Sequence, residues 1–79
     1  MKARILVTPK KTVLDPQGKT VQHALASLGF GGVDGVRIGK YIELKLSVAD
    51  RAQADEEVRQ MCEKLLANTV IESYRYDLE

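Results

Sequence analysis

Residues 50–72 form an amphipathic stretch that constrains the fold more than any other part of the chain. On a helix, six apolar side chains of this stretch fall on one stripe at the spacing i, i+3, i+4, i+7. The stripe consists of Ala54, Val58, Met61, Cys62, Leu65 and Leu66. The opposite face carries Glu56, Arg59, Gln60 and Glu63. The pattern predicts a helix that ends near Asn68, passes into a strand at Val70 and Ile71, and needs an apolar partner surface.

The length and charge of the chain exclude several classes of protein. Its 79 residues predict a single domain, residues 1–79. The formal net charge of +1 gives no electrostatic reason to expect binding to nucleic acid or to an anionic membrane. One cysteine cannot form an internal disulfide, and neither a secretory signal nor a membrane span is recognisable. We therefore expect a soluble cytoplasmic protein.

Apolar periodicity divides the chain into six elements. Strands are expected at residues 2–8, 33–39, 41–49 and 70–78, and helices at residues 15–28 and 50–68. The order βαββαβ predicts an α+β fold, a ferredoxin-like two-layer sandwich with an antiparallel sheet and both helices on one face. The first helix has a stripe of its own, formed by Val21, Ala24, Leu25 and Leu28. Both stripes would share one core with Ile42, Leu44, Leu46 and Val48.

A hairpin is expected at Gly39-Lys40, and its register has two solutions. A two-residue loop pairs Ile38 with Tyr41 and leaves apolar residues on both sheet faces, so that the second face must meet another chain. A three-residue loop pairs Ile38 with Ile42 and keeps one apolar face. Because a slip of one residue moves every side chain to the other face, we favour the longer loop or a bulge near Gly39.

The residues that could carry chemistry have structural explanations. Asp15-Pro16 is typical of a helix N-cap followed by proline at the first helical position, and we favour this over a phosphate-binding loop. His23 lies on the polar side of the first helix without a second histidine for a metal site. Cys62 lies within the apolar stripe, which indicates a buried thiol. We therefore predict no catalytic, cofactor-binding or metal-binding residue in this chain.

Tyr74 and Tyr76 share one face of the last strand. Their own chain could cover this face in part, or the pair could form a contact between subunits, because tyrosine is enriched at interfaces. The two interpretations are equally favoured.

Four segments together resemble the PurS family, the small subunits of phosphoribosylformylglycinamidine synthase. These segments are residues 13–18, 28–30, 36–44 and 62–72, and the resemblance extends over nearly the whole chain. Thr69 departs from the family pattern, in which proline is expected. Threonine should allow the same turn with a less sharp helix end.

The resemblance implies a non-catalytic subunit of this ligase in de novo purine (IMP) biosynthesis. In this family, the small subunit is expected to assemble an ATP-dependent synthetase subunit (PurL) and a glutaminase subunit (PurQ), and to assist ammonia transfer. A homodimer or homotetramer is implied. The complex would use ATP, Mg²⁺ and glutamine, while this subunit would bind no cofactor.

The hairpin tip is the predicted contact with the larger subunits, because it combines two cations with a glycine that lets another backbone approach. It consists of Arg37, Gly39, Lys40 and Tyr41. Tyr74 and Tyr76, with the neighbouring strand edge, are the predicted self-association surface.

Two other functions fit the same order of elements. A regulatory module of the ACT type would bind a small molecule at the loop after the first strand, but Asp15 and Pro16 there are explained by helix capping. An RNA-binding sheet would display aromatic side chains for base stacking, and the strands at residues 2–8 and 41–49 lack them.

Overall fold

The computed structural model describes all 79 residues as a three-stranded antiparallel sheet with helices. The elements are β1 (Lys2–Pro9), α1 (Pro16–Ser27), β2 (Lys40–Lys45), α2 (Arg51–Met61), a π-helical turn (Cys62–Leu66) and β3 (Glu72–Leu78). The strand order is β2-β1-β3. The α+β class is therefore confirmed. No helix is long and apolar enough to span a bilayer.

β1 is the central strand because its alternate residues supply the middle of the core. Ala3, Ile5 and Val7 are fully buried on one face of the sheet. Helix α2 covers this face with Ala54 and Val58, and Cys62 follows at the start of the π turn. Ile42, Leu44, Leu46 and Leu66 lie around this cluster. The predicted contact between the second helix and the face of Ile42, Leu44, Leu46 and Val48 is thus confirmed for all but Val48.

The π turn changes the predicted stripe at its end. The backbone N–H of Ala67 donates to the carbonyl of Cys62, five residues earlier, at 3.0 Å. This spacing adds a residue to the turn and rotates the side chains that follow. Leu65, which the sequence places in the core, is consequently 82% exposed.

The strand expected at Val70 and Ile71 begins two residues later, at Glu72. Asn68 explains the difference, because its side-chain oxygen accepts from the N–H of Val70 at 3.2 Å and its carbonyl accepts from Ile71 and Glu72. These bonds hold residues 68–71 in a turn. The turn itself was expected at Asn68-Thr69.

The strand and hairpin predicted for residues 33–41 are wrong in this chain. Lys40 pairs with Val7 at the beginning of β2, and residues 33–39 do not join the sheet. They lie beside α1 instead. The side-chain amide of Gln22 donates to the carbonyl of Val33 at 3.2 Å. Neither of the two hairpin registers is therefore formed.

Helix α1 does not contribute to the core that was expected to contain both helices. Its only buried residue is Gly18, and Leu28 of its apolar stripe is 72% exposed. Helix α1, the turn that follows it and residues 33–38 together project from the sheet; we refer to residues 16–38 as the arm. The chain measures 49 × 24 × 14 Å.

Candidate interaction surfaces

The side chain of Asp15 links the two ends of the arm, the start of α1 and residue 38. One carboxylate oxygen accepts from the N–H of Gly18 at 2.9 Å, and the other accepts from the N–H of Ile38 at 2.8 Å. These two bonds, the one from Ile38 first, lower the pKa of Asp15. The predicted helix cap is confirmed, and the second bond, across 23 residues, has no signal in the sequence.

The predicted partner contact, residues 37–41, lies where the arm meets β2. Arg37, Gly39 and Lys40 are exposed, and Tyr41 is 54% exposed. A Cβ atom on Gly39 would clash with the carbonyl oxygen of Val7. The glycine therefore allows the close approach of β1 in the same chain, while both neighbouring cations remain accessible to a partner.

Tyr41 belongs to the sheet face that no helix covers. Its hydroxyl donates to Glu43 at 3.0 Å, and Glu43 also forms a salt bridge of 3.1 Å with Lys2. The bonds from Lys2 and then Tyr41 lower the pKa of Glu43, while partial burial and Glu43 raise the pKa of Tyr41. On this outer face, a network of polar side chains thus lies around Tyr41 and its neighbour Leu6.

Tyr74 and Tyr76 lie on the opposite face, beneath α2. They pair with Val7 and Ile5 of β1, and their rings stack with centroids 6.4 Å apart. The hydroxyl of Tyr76 donates to Asp55 at 2.9 Å. Within the single chain, the face is covered in part by its own helix. The role of these tyrosines in self-association stays a prediction.

We expect the Tyr76→Phe variant to lose part of the pH dependence of stability above pH 10. Partial burial, followed by the hydrogen bond to Asp55, raises the pKa of Tyr76 from 10.0 to about 12. Because the folded chain holds this proton more tightly, the stabilisation is complete below pH 10 and is lost as the pH rises through 12. Urea unfolding between pH 9 and 12 measures the effect. Identical pH profiles for both proteins would contradict it.

The two candidate nucleophilic or metal-ligating residues lie in ordinary surroundings. Cys62 is fully buried, and burial raises the pKa of its thiol. His23 is exposed on α1, and its backbone carbonyl accepts from the hydroxyl of Ser27. No group of three or more His, Cys, Asp or Glu side chains is placed to hold a metal ion.

The structure has two exposed apolar surfaces that were not predicted from the sequence. The first is the arm, where Val21, Leu28, Phe30 and Ile38 are exposed. The second is a groove of about 580 Å³ between α2 and β2. Its apolar wall is formed by Leu44, Met61, Leu65 and Leu66. In a two-layer sandwich the first helix would occupy the space beside α2, so both surfaces are consequences of the projecting arm.

Comparison with known proteins gives a consistent result over the full length. A family model described as "PurS: Phosphoribosylformylglycinamidine (FGAM) synthase" matches residues 2–79. The Bacillus subtilis phosphoribosylformylglycinamidine synthase subunit PurS is 56% identical over 78 residues, which are 99% of this chain and 92% of the relative.

Two solved structures have the same fold. The C2 crystal form of Bacillus subtilis PurS matches with a TM-score of 0.90 at 56% identity and covers 99% of this chain and 96% of that one. A chain of the PurLQS structure from Thermotoga maritima matches with a TM-score of 0.87 at 34% identity. That match covers 96% of this chain and 93% of the other.

Proposed function

The chain belongs to the PurS family of phosphoribosylformylglycinamidine synthase subunits, and we propose that it assembles the synthetase and glutaminase subunits of that enzyme and assists ammonia transfer between them. It is a subunit of a ligase of purine biosynthesis. ATP, Mg²⁺ and glutamine are used by the other subunits in this proposal, and the complex works in the cytoplasm. The alternatives of an ACT-like module and an RNA-binding sheet gain no support from the family match.

The observation that carries an assembling role is the amount of surface that the single chain leaves exposed. Its accessible area is 5756 Å². A compact protein of 8.8 kDa exposes about 4,800 Å². The radius of gyration is 16.0 Å, against about 12 Å for a compact domain of this length. The excess of roughly 1,000 Å² is comparable to the 800 Å² that each partner buries in a standard interface.

Self-association through the arm accounts for this excess. The exposed stripe of α1 and the groove between α2 and β2 are both apolar, and each lacks a partner within the chain. Two copies that exchange arms would cover both surfaces symmetrically. Residues 33–38 also have no strand partner within the chain, which leaves their backbone free to pair with a strand of another chain. A homodimer, or a homotetramer built from two such dimers, is the proposed form.

Reconstitution with the larger subunits tests the proposed function. The purified chain is mixed with the synthetase and glutaminase subunits of the same organism, and the mass of the assembly is measured by light scattering after size exclusion. We expect one complex that contains all three proteins and that converts formylglycinamide ribonucleotide to the amidine, with ATP and with the ammonia released from glutamine. A synthetase and glutaminase pair that assembles and transfers ammonia equally well without this chain would refute the proposal.

A further inference from the structure

A cationic cleft of about 590 Å³ lies between the β1–α1 loop and the 34–37 segment of the arm. Its charged lining consists of Lys10, Lys11, Lys19, Arg37, Asp15 and Asp34. The chain as a whole has a net charge of only +1, from 12 basic and 11 acidic residues. A third of all its basic side chains therefore surround one concave surface, where only two carboxylates oppose them.

The four cations of the cleft are not used within the chain. The three salt bridges of the structure involve Lys2, Arg4 and Arg59, all outside the cleft. Both oxygens of Asp15 accept hydrogen bonds from backbone amides, and these bonds, followed by the charge of Arg37, lower the pKa of Asp15, so this carboxylate offsets the cleft cations only in part. An excess of like charges in a concave surface concentrates the positive potential and attracts anions.

The form of the cleft indicates the kind of anion. The cations come from three separate places: Lys10 and Lys11 from the loop, Lys19 from α1 and Arg37 from the 33–38 segment. No aromatic side chain lines the cleft to stack on a nucleotide base. A cleft of about 590 Å³ is much larger than a single phosphate, and a peptide segment with several carboxylates can engage all four cations, so it fits better than a compact phosphate or a nucleotide.

We propose that this cleft binds an acidic peptide segment of the synthetase or glutaminase subunit, an inference that rests on the proposed assembling function. The cleft includes Arg37 of the predicted partner contact and extends that contact from residues 37–41 to both walls of the cleft. Charge pairs at such a rim accelerate association and select the partner, and salt weakens them.

Paired charge reversals test the cleft. The Lys11→Glu, Lys19→Glu variant changes two cleft cations, and the Lys45→Glu, Arg75→Glu variant makes the same change of charge on the sheet, outside the cleft. We measure binding of each chain to the synthetase and glutaminase subunits by interferometry at several salt concentrations. The cleft variant should bind roughly tenfold more weakly, mainly through a slower association rate, with a reduced salt dependence. The sheet variant should bind as the unchanged chain does.

The controls separate this proposal from the one on which it rests. If the unchanged chain binds neither subunit, the assembling function itself fails. If the unchanged chain binds and the cleft variant binds equally well, or if both variants lose affinity equally, only the cleft proposal is overturned. Inorganic pyrophosphate is titrated into the isolated chain in parallel. Binding that the cleft variant loses, with partner affinity unchanged, would reveal a site for small phosphates and would also overturn the proposal.

Circular dichroism and the oligomer mass of every variant establish that it is folded before binding is compared. Lys11 and Lys19 are exposed and form no salt bridge, so their replacement leaves the core intact. The neutral pair Lys11→Gln, Lys19→Gln is a second, milder variant. It should give an intermediate loss of affinity, and an affinity equal to that of the unchanged chain would count against the cleft.

Discussion

The Ile5→Ala variant is expected to lose about 2–5 kcal/mol of the free energy of unfolding, the usual cost of an isoleucine removed from a core. Ile5 is fully buried at the centre of β1, between Ile42 and Tyr76 on the neighbouring strands. A domain of 79 residues has a total stability of about 4–12 kcal/mol. The substitution therefore removes a large share of it. Urea unfolding at one fixed chain concentration measures the change.

Leu6→Ala is the matched control, because it shortens the next residue of the same strand by a similar amount. Leu6 is 36% exposed on the outer face, opposite Tyr41 and Arg75. We expect a loss of less than about 1 kcal/mol at this site. Equal losses at both positions would show that the outer face is as well covered as the inner one, for example by another chain.

The second helix could be predicted from the sequence because its partner surface lies in the same chain. Val58 and Cys62 of its stripe pack with the buried residues of β1, as their apolar periodicity indicates, and Ala54 is fully buried as well. Asp50 caps this helix through the N–H of Ala52. Local pattern and tertiary packing agree here, so the pattern is a sufficient guide.

The arm could not be predicted from the sequence, although its local patterns are equally clear. The stripe of α1 shows that one face needs apolar contact, but periodicity does not say whether the same chain or another one provides it. The alternation of Val36 and Ile38 likewise indicates an extended strand, but it does not show which strand would pair with it. Residues 33–38 form no strand, because Asp15 and Gln22 hold them beside α1 and outside the sheet.

For the predicted contact residues, too, the sequence indicates exposure but not the position in the fold. Arg37, Lys40 and Tyr41 are exposed, as expected for a partner surface. Their place at the junction of arm and sheet depends on the bond between Asp15 and Ile38, which no spacing in the sequence reveals. The cleft cations are likewise separated by up to 27 positions in the sequence, from Lys10 to Arg37, and only the folded chain places them around one surface.

The division between core and arm fits the assembling role that we propose. The core is formed by β1, β2, β3, α2 and the π turn with Ala67, which bury one another within the single chain. The arm leaves its apolar side free. In the proposed oligomer, association would complete the second layer of the sandwich without weakening the first, so the same chain could fold locally and still depend on its partners for full burial.

The Val21→Glu, Leu28→Glu variant is therefore expected to lower the self-association constant on the order of 100-fold or more, because it buries two charges in an apolar interface. Both side chains are exposed on the stripe of α1, so the single chain should keep its fold. Light scattering over a range of micromolar concentrations should give the 8.8 kDa mass of one chain for this variant. The unchanged chain should give a multiple of that mass.

His23→Glu, Ala26→Glu is the matched control, since it adds two glutamates to the polar side of the same helix and should leave the oligomer mass unchanged.

Leu65→Glu tests the surface that would receive the arm of the second copy. Leu65 is exposed on the groove between α2 and β2, so this change should dissociate the oligomer as the arm variant does. If the arm variant dissociates and the Leu65→Glu variant does not, the arm docks elsewhere on the second copy. If the arm variant keeps the full oligomer mass, self-association does not use the arm.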